Sequence, residues 1–270
     1  MRFKIHFQLS GQRQWMPLNN QYPISAWIYK ILNAADEEFA KLLHDIGYQL
    51  ETGKTFKLFT FSRLEFPRNT IRIKPGSDRM EVWARNAFII VSFHLPQTAE
   101  KFITGLFKDQ HAFIGDKISG VQMHVESIEV IKTDFPDCEK LQFKTITPLV
   151  LGISKEEFKN EQYTQPLDSE YKEVFIKSLL DKHQAILQTG FEPTSIDFKI
   201  IKLYTKTAMQ TIKAFTPAET KVKGYYFDFE LKAPKSILEL GFNAGFGNMS
   251  SLGFGYTEII YSEYERASKN

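Results

Sequence analysis

Two Gly-Phe-Gly units, at residues 245–247 and 253–255, enclose five residues near the C-terminal end of the chain. Glycine adopts positive φ easily and lets a second backbone approach closely, and successive backbone amides in such a turn can form a concave nest for a phosphate. The stretch therefore predicts either a tight structural turn or a phosphate-contacting loop. The residues that could contact a phosphate there are Gly245, Gly247, Asn248, Ser250, Ser251, Gly253 and Gly255.

This glycine stretch differs from the loops that bind nucleotides. It lacks the Lys-Ser/Thr ending of a P-loop, and it follows a predicted helix at 235–240 rather than a strand. A Rossmann or P-loop fold is therefore disfavoured. A single glycine loop is often a plain turn, but a doubled Gly-Phe-Gly is less expected by chance, so it remains a candidate binding loop.

The N-terminal half shows a regular order of strands and helices. Residues 2–9 alternate apolar and polar side chains, which predicts a strand with one buried face. The same reasoning predicts strand, helices, strands, helix and strands, the β-α-β-β-α-β order of a ferredoxin-like or RRM-like fold. The predicted helices are at 25–33, 36–46 and 97–107, and the later strands are at 56–66, 70–74, 81–93, 111–114 and 121–132.

The C-terminal half repeats this order after a linker at 133–140. A strand at 141–151 precedes a helix at 168–188, with Gly190 as its C-terminal cap. Strands at 195–205 and 221–232, the helix at 235–240 and a last strand at 254–262 complete the pattern. We therefore predict an α+β protein with two tandem ferredoxin-like (RRM-like) domains, residues 1–133 and 141–270, although no repeat is visible in the sequence itself.

The composition excludes several kinds of site. Hydrophobic residues make up 43% and charged residues 24%, as in ordinary globular proteins. Cys138 is the single cysteine and the six histidines lack HxxxH or HExxH spacing, so neither a disulfide nor a metal site is predicted. The start of the chain is typical of a strand rather than a signal peptide, and no apolar run has the roughly 18 residues of a membrane helix. We expect a cytoplasmic protein without a cofactor and without membrane contact.

The net charge of +2 conceals two basic regions. Residues 52–90 carry eight Lys or Arg against three acids, and residues 196–235 carry eight Lys against four acids, whereas acids are concentrated around 156–173. This distribution fits a local anionic partner, and it equally fits ordinary solvated surfaces.

The doubled Gly-Phe-Gly, together with shorter segments along most of the chain, resembles a known family. The chain is similar to the CRISPR-associated endoribonucleases that process repeat RNA, the Cas-six type of the RAMP superfamily, which is built from RRM-like domains. The glycine motif is the most specific element of this resemblance. The segments in the family's order are 1–7 (MRFKIHF), 20–23 leading into Ile28-Tyr29, 43–45 (LHD), 57–62 (KLFTFS) and 147–149 (TPL).

The resemblance implies metal-independent cleavage of CRISPR repeat RNA by its own 2′-hydroxyl, which leaves a 2′,3′-cyclic phosphate and a 5′-hydroxyl. The family's tyrosine, histidine and lysine correspond here to Tyr29, His44 and Lys57. Helical geometry is compatible with this, because both rings lie about 140° away from the apolar stripes of their helices, such as Phe39, Leu42, Leu43 and Ile46. His44 can act as acid or base near neutrality, Lys57 would stabilise the phosphate, and Lys54 is an alternative cation.

One departure from the family concerns residues 248–252, which lack the usual Lys or Arg. Neighbouring lysines would have to compensate, and the candidates are Lys202, Lys206, Lys221 and Lys223. The implied partner is repeat RNA or the mature CRISPR RNA, with CRISPR effector subunits as further candidates and with a monomer and a homodimer both open. A non-cleaving binder of the same fold is one alternative. A generic RRM-like protein is the other, although its aromatic RNA-binding motif is incomplete here.

Overall fold

The computed structural model describes residues 1–133, 135–153, 162–187, 195–214 and 216–261. The helices are α1 (Gln21–Ala35), α2 (Glu37–Asp45), α3 (Pro96–Lys108), α4 (Tyr171–Leu187) and α5 (Lys235–Ala244). The strands of the N-terminal half are β1 (Arg2–Leu9), β2 (Gln14–Pro17), β3 (Tyr48–Gln49), β4 (Thr55–Phe56), β5 (Phe59–Phe61), β6 (Ile71–Ile73), β7 (Arg79–Val82), β8 (Asn86–Phe93), β9 (His111–Gly115) and β10 (Gly120–Ile131). Those of the C-terminal half are β11 (Lys140–Thr145), β12 (Gly152–Ile153), β13 (Gln162–Tyr163), β14 (Asp197–Ile212), β15 (Thr220–Lys232) and β16 (Thr257–Ile259).

The first sheet has the strand order β5-β8-β1-β10-β9 and is antiparallel. The alternation predicted for β1 is present, because Phe3, Ile5 and Phe7 are buried while the strand pairs with β8 and β10. Helices α1 and α3 cover this core, where the Trp27 ring lies edge-on to Phe7 and Phe102. The first strand of the unit therefore lies at the centre, as in a ferredoxin-like fold.

The second sheet repeats this arrangement with the order β14-β15-β11-β16. Its first strand, β11, again lies between its neighbours, and Phe143 of β11 pairs with Phe229 and Ile259. Helices α4 and α5 pack on the same core through residues such as Phe175 and Leu238. The predicted α+β fold with two ferredoxin-like units is confirmed.

The two halves share one of their cores. Phe56 and Leu58 belong to the N-terminal half, yet they pack in the hydrophobic cluster of the second sheet. Residues just before β5 therefore lie against the C-terminal half. Lys54 and Lys57, which flank Phe56, are brought to the boundary between the two halves. The division into residues 1–133 and 141–270 stays a prediction.

Several elements differ from the sequence-based expectation. The strand expected at 56–66 is split into β4 and β5, because Leu58 between them has a positive φ of 54°. The apolar stripe expected on α2 is narrower than predicted, since Leu42 and Ile46 are about half exposed and only Ala40 and Leu43 are buried. Ala40 and Leu43 face the core of the first sheet, and Phe39 packs against it in part. Gly190 and the acids at 156, 157 and 161 lie outside the described residues.

The lengths and polarity of the helices can be compared with what a membrane span requires. Across the described ranges, none of them is long and apolar enough to span a membrane. Helix α4, with 17 residues, carries Lys, Glu, Asp and His side chains along its length.

Candidate functional site

The two Gly-Phe-Gly units close a loop at the end of α5. The amide of Phe246 donates to the carbonyl of Gly255 at 3.0 Å, and the amide of Gly255 donates to the carbonyl of Pro148 at 2.9 Å. A Cβ atom at Gly255, where φ is +68°, would overlap the backbone oxygen of Phe246. Glycine is therefore required at this closure. Positive φ also occurs within the loop at Gly245, Gly247, Met249 and Gly253.

The loop docks on elements of the N-terminal half. The Ser25 hydroxyl of α1 donates to the carbonyl of Ser251 at 2.7 Å, and the Thr60 hydroxyl of β5 donates to the carbonyl of Phe254 at 3.1 Å. The Ser251 side chain also interacts with the phenol of Tyr29. These contacts hold a segment of the C-terminal half against α1.

Tyr29, His44 and Lys57 come together beside this loop. The rings of Tyr29 and His44 meet edge-to-face with centroids 4.9 Å apart. The Lys57 ammonium donates to the backbone carbonyl of His44 at 2.7 Å. The His44 side chain is 66% exposed, and its Nδ1 lies 2.9 Å from Asp45 Oδ1. Its Nε2 has no hydrogen-bond partner among the residues that the structure describes and can face a ligand. Three residues from α1, α2 and the segment before β5 thus share one corner of the molecule.

The surroundings of these groups set their protonation. Burial raises the pKa of the Tyr29 phenol well above its usual value, with the Ser251 side chain opposing the shift, so the phenol is a donor at neutral pH rather than a base. Burial lowers the pKa of Lys57, and the charge of Asp45 opposes this. The hydrogen bond from His44 holds the pKa of Asp45 below its usual range. Within the described ranges, no three His, Cys, Asp or Glu side chains are grouped to hold a metal ion.

A cleft of about 290 Å³ separates the loop from the N-terminal lysines. Residues 247–252 form one wall, and Lys54, Lys57 and Lys182 line the other sides. Lys54 is tied to Asp181 of α4 at 3.0 Å, whereas the Lys57 ammonium contacts a carbonyl. The sequence-predicted cations Lys54 and Lys57 are therefore next to the glycine loop.

The other predicted lysines lie elsewhere. Lys202, Lys206, Lys221 and Lys223 are exposed along the β14–β15 hairpin. Lys206 lies over the ring of Tyr226, and Lys221 lines a separate cleft of about 470 Å³ together with Tyr22 of α1. The hairpin lysines are therefore not the cations of the loop cleft.

Sequence reasoning missed Lys182. It lies on the buried side of α4, three residues after Leu179 and three before Ala185, both of which are buried. A lysine at an apolar position of a helical stripe is the signal that could have indicated it.

Comparison with known proteins identifies the family of the chain. A family model described as CRISPR-associated protein Cas6, N-terminal, matches residues 15–129, and one described as CRISPR associated protein Cas6, C-terminal, matches residues 131–259. The chain belongs to the Cas6 family. The resemblance seen in the sequence is thereby confirmed, and its most specific motif lies within the range of the C-terminal Cas6 model.

Individual relatives match the chain over nearly its full length. The CRISPR-associated endoribonuclease Cas6 1 of Methanocaldococcus jannaschii is 25% identical over 272 residues, which cover 100% of this chain and 96% of that protein. The CRISPR-associated endoribonuclease Cas6 of Pyrococcus furiosus is 23% identical over 90% of this chain and 83% of its own length. A solved structure described as an RAMP protein binding different RNA substrates is 19% identical, with a TM-score of 0.79 over 97% of this chain and 100% of that chain. The Cas6 fold therefore extends across both sheets.

Proposed function

We propose that this Cas6-family chain binds CRISPR repeat RNA and cuts the precursor without a metal ion. The observation that carries the proposal is the convergence of Tyr29, His44 and Lys57 beside a glycine loop that presents backbone amides. The catalytic side chains belong to the N-terminal domain, residues 1–133, and the loop belongs to the C-terminal domain, residues 141–270. RNA would lie between them with its sugar-phosphate junction at His44.

The proposed reaction is an internal transfer at phosphorus. The ribose 2′-oxygen forms a bond to the adjacent phosphorus, the bond from phosphorus to the 5′-oxygen breaks, and the 2′-proton is lost while the leaving 5′-oxygen gains a proton. The products are a 2′,3′-cyclic phosphate and a 5′-hydroxyl. Such a reaction requires proton transfer and stabilisation of the charge on the crowded phosphate.

The three side chains fit these requirements differently. His44 has an exposed ring whose Nδ1 is held by Asp45, so Nε2 is available for proton transfer. Tyr29 keeps its proton because burial raises its pKa, so it donates a hydrogen bond rather than removing the 2′-proton. Lys57 supplies positive charge for the non-bridging oxygens.

The absence of Lys and Arg from residues 248–252 favours one alternative, a Cas6-family protein that holds repeat RNA without cutting it. Both functions predict tight RNA binding, so a binding measurement does not distinguish them. Only the cleaving protein would form a shortened RNA product.

The deciding experiment incubates the protein with repeat RNA in excess EDTA. We expect cleavage at one position, with a 5′-hydroxyl on the downstream fragment. EDTA should not prevent it, because every catalytic group assigned above is a side chain and none is a metal ion. A matched RNA with a single 2′-deoxy residue at the cut site should bind equally and stay intact. Tight binding of the normal RNA without product would support the non-cleaving alternative.

Alanine substitutions can show whether Lys57 or Lys54 stabilises the charge of the phosphate during cleavage. We expect Lys57→Ala to slow single-turnover cleavage about 10²-fold, the scale of losing one charge-stabilising donor. Lys54→Ala should slow it only severalfold, because this ammonium is already paired with Asp181. The reverse order of the two rates would assign the role to Lys54.

A further inference from the structure

Lys182 of α4 is a buried lysine with no carboxylate partner in the part of the chain that the structure describes. The residue is 2% exposed, and its ammonium donates to the carbonyl of Gly245 at the start of the glycine loop. The neighbouring Asp181 is instead held by Lys54 at 3.0 Å and by Lys177 at 3.1 Å. Among the described residues, the Gly245 carbonyl is the one hydrogen-bond acceptor of Lys182.

Such an arrangement is unfavourable for the fold by itself. Removing an ammonium from water is expensive unless an opposite charge accompanies it. Burial, together with the nearby charge of Lys54, lowers the pKa of Lys182 to about 7. An ammonium has three N–H donors, and the carbonyl of Gly245 takes one. Lys182 also lines the cleft together with residues 247–252.

The opposite wall of the cleft offers further donors. Loop amides at Phe246, Asn248, Leu252, Gly253 and Gly255 donate to backbone carbonyls. The three consecutive amides of residues 249–251 have no such acceptor among the described residues. Met249 at the start of this run has a left-handed φ of 57°, and adjacent amides with such backbone angles form an anion-binding concavity.

We propose that Lys182 and the amides of residues 249–251 bind one phosphate of the RNA backbone, adjacent to the phosphate that is cut. The site would replace, from α4, the cation that the loop lacks. This inference rests on the proposed function, because the phosphate is taken to belong to repeat RNA. The phosphate would supply the negative charge that Lys182 lacks within the fold.

The test measures binding of the uncleavable 2′-deoxy RNA over a range of salt concentrations. For Lys182→Met we expect affinity to fall about tenfold or more, and the slope of log K against log salt to become shallower by about 0.7, the value for one phosphate contact with a single strand. Thermal unfolding should change little, because the substitution removes both the cost of burying the ammonium and its hydrogen bond to the Gly245 carbonyl. Lys177→Met is the matched control, since this lysine of the same helix is 76% exposed, and it should leave the slope unchanged.

A structural role for Lys182 would give a different result. If Lys182 only holds the loop, Lys182→Met would weaken binding equally at all salt concentrations, and the unchanged slope would refute the phosphate site. Binding by wild type with no effect of Lys182→Met would also refute it and would leave the proposed function intact. If wild type binds no repeat RNA, the proposed function and the site fail together.

A second measurement covers the case in which Lys182→Met does not fold. The wild-type protein is titrated with 2′-deoxy RNAs in which the phosphates next to the cut site are replaced, one at a time, by neutral methylphosphonates. One replacement should lower the affinity about tenfold and make the salt slope shallower by about 0.7. If no single replacement does both, the assignment is overturned.

Discussion

Replacing His44 with alanine is expected to slow cleavage of repeat RNA about 10²-fold or more, the usual scale for losing acid–base help. RNA affinity should change little, because the ring is 66% exposed and the proposed grip on the backbone comes from the glycine loop and the lysines. The fold should also be retained, since the His44 ring lies at the surface, where it packs edge-to-face on Tyr29. Single-turnover cleavage rates and RNA-binding titrations, measured on the same preparation, separate these effects.

The chain contains a matched control for this substitution. His111 of β9 is 82% exposed and its Nδ1 lies 3.6 Å from Asp109, so it is an exposed histidine beside an aspartate, like His44, but it lies away from the loop, next to His124. His111→Ala should cut at the wild-type rate. If His44→Ala also cuts at the wild-type rate, the assignment of His44 is wrong and the reaction depends on other groups.

Much of the fold could be predicted from local patterns. The strict alternation in β1 and the order of strands and helices in each half led to the ferredoxin-like architecture, because period two and period 3.6 are visible in a single sequence. The break at Leu58 was not visible. Its left-handed backbone allows Phe56 and Leu58 to pack into the second core, a tertiary contact that no local window contains.

The site was predictable in part. The helical periodicity shows that Tyr29 and His44 lie outside the apolar stripes of their helices. It does not show that the two rings are in contact, because their contact depends on how α1 and α2 cross. Their pairing with Lys57 came from the family resemblance, and their roles remain proposals. Lys182 was missed because a charged residue within a predicted helix is ordinarily taken to face water.

The positions of the lysines change how RNA binding is interpreted. Sequence proximity suggested that the β14–β15 hairpin would compensate for the neutral loop, yet its lysines are exposed away from the loop cleft. Lys54, Lys57 and Lys182 border the loop although they are 60 or more residues away from it in sequence. Contacts of the hairpin lysines with RNA remain a prediction, and they would lie outside the loop cleft, where the phosphate next to the scissile one is proposed to bind.

Gly255→Ala is expected to lower the free energy of unfolding by about 3 kcal/mol. Two effects add. Alanine is strained at a φ of +68°. Its Cβ would also overlap the backbone oxygen of Phe246, which cannot move without breaking the loop closure. Because the closure positions residues 247–252, RNA binding should also weaken under conditions where the variant is folded. Urea titration gives the free energy of unfolding. RNA titration without urea, at a low temperature where the variant is folded, gives the affinity.

Gly76→Ala separates these two effects. Gly76 has a similar φ of +77°, but a Cβ atom there would meet nothing within 4 Å. It should therefore lose only the conformational part, about 1 kcal/mol, and should bind RNA as wild type does. Equal losses for the two variants would mean that the close approach at Gly255 contributes nothing. If folded Gly255→Ala binds RNA as tightly as wild type, the loop closure does not contribute to RNA binding. The positions of the amides of residues 249–251 would then not matter for affinity.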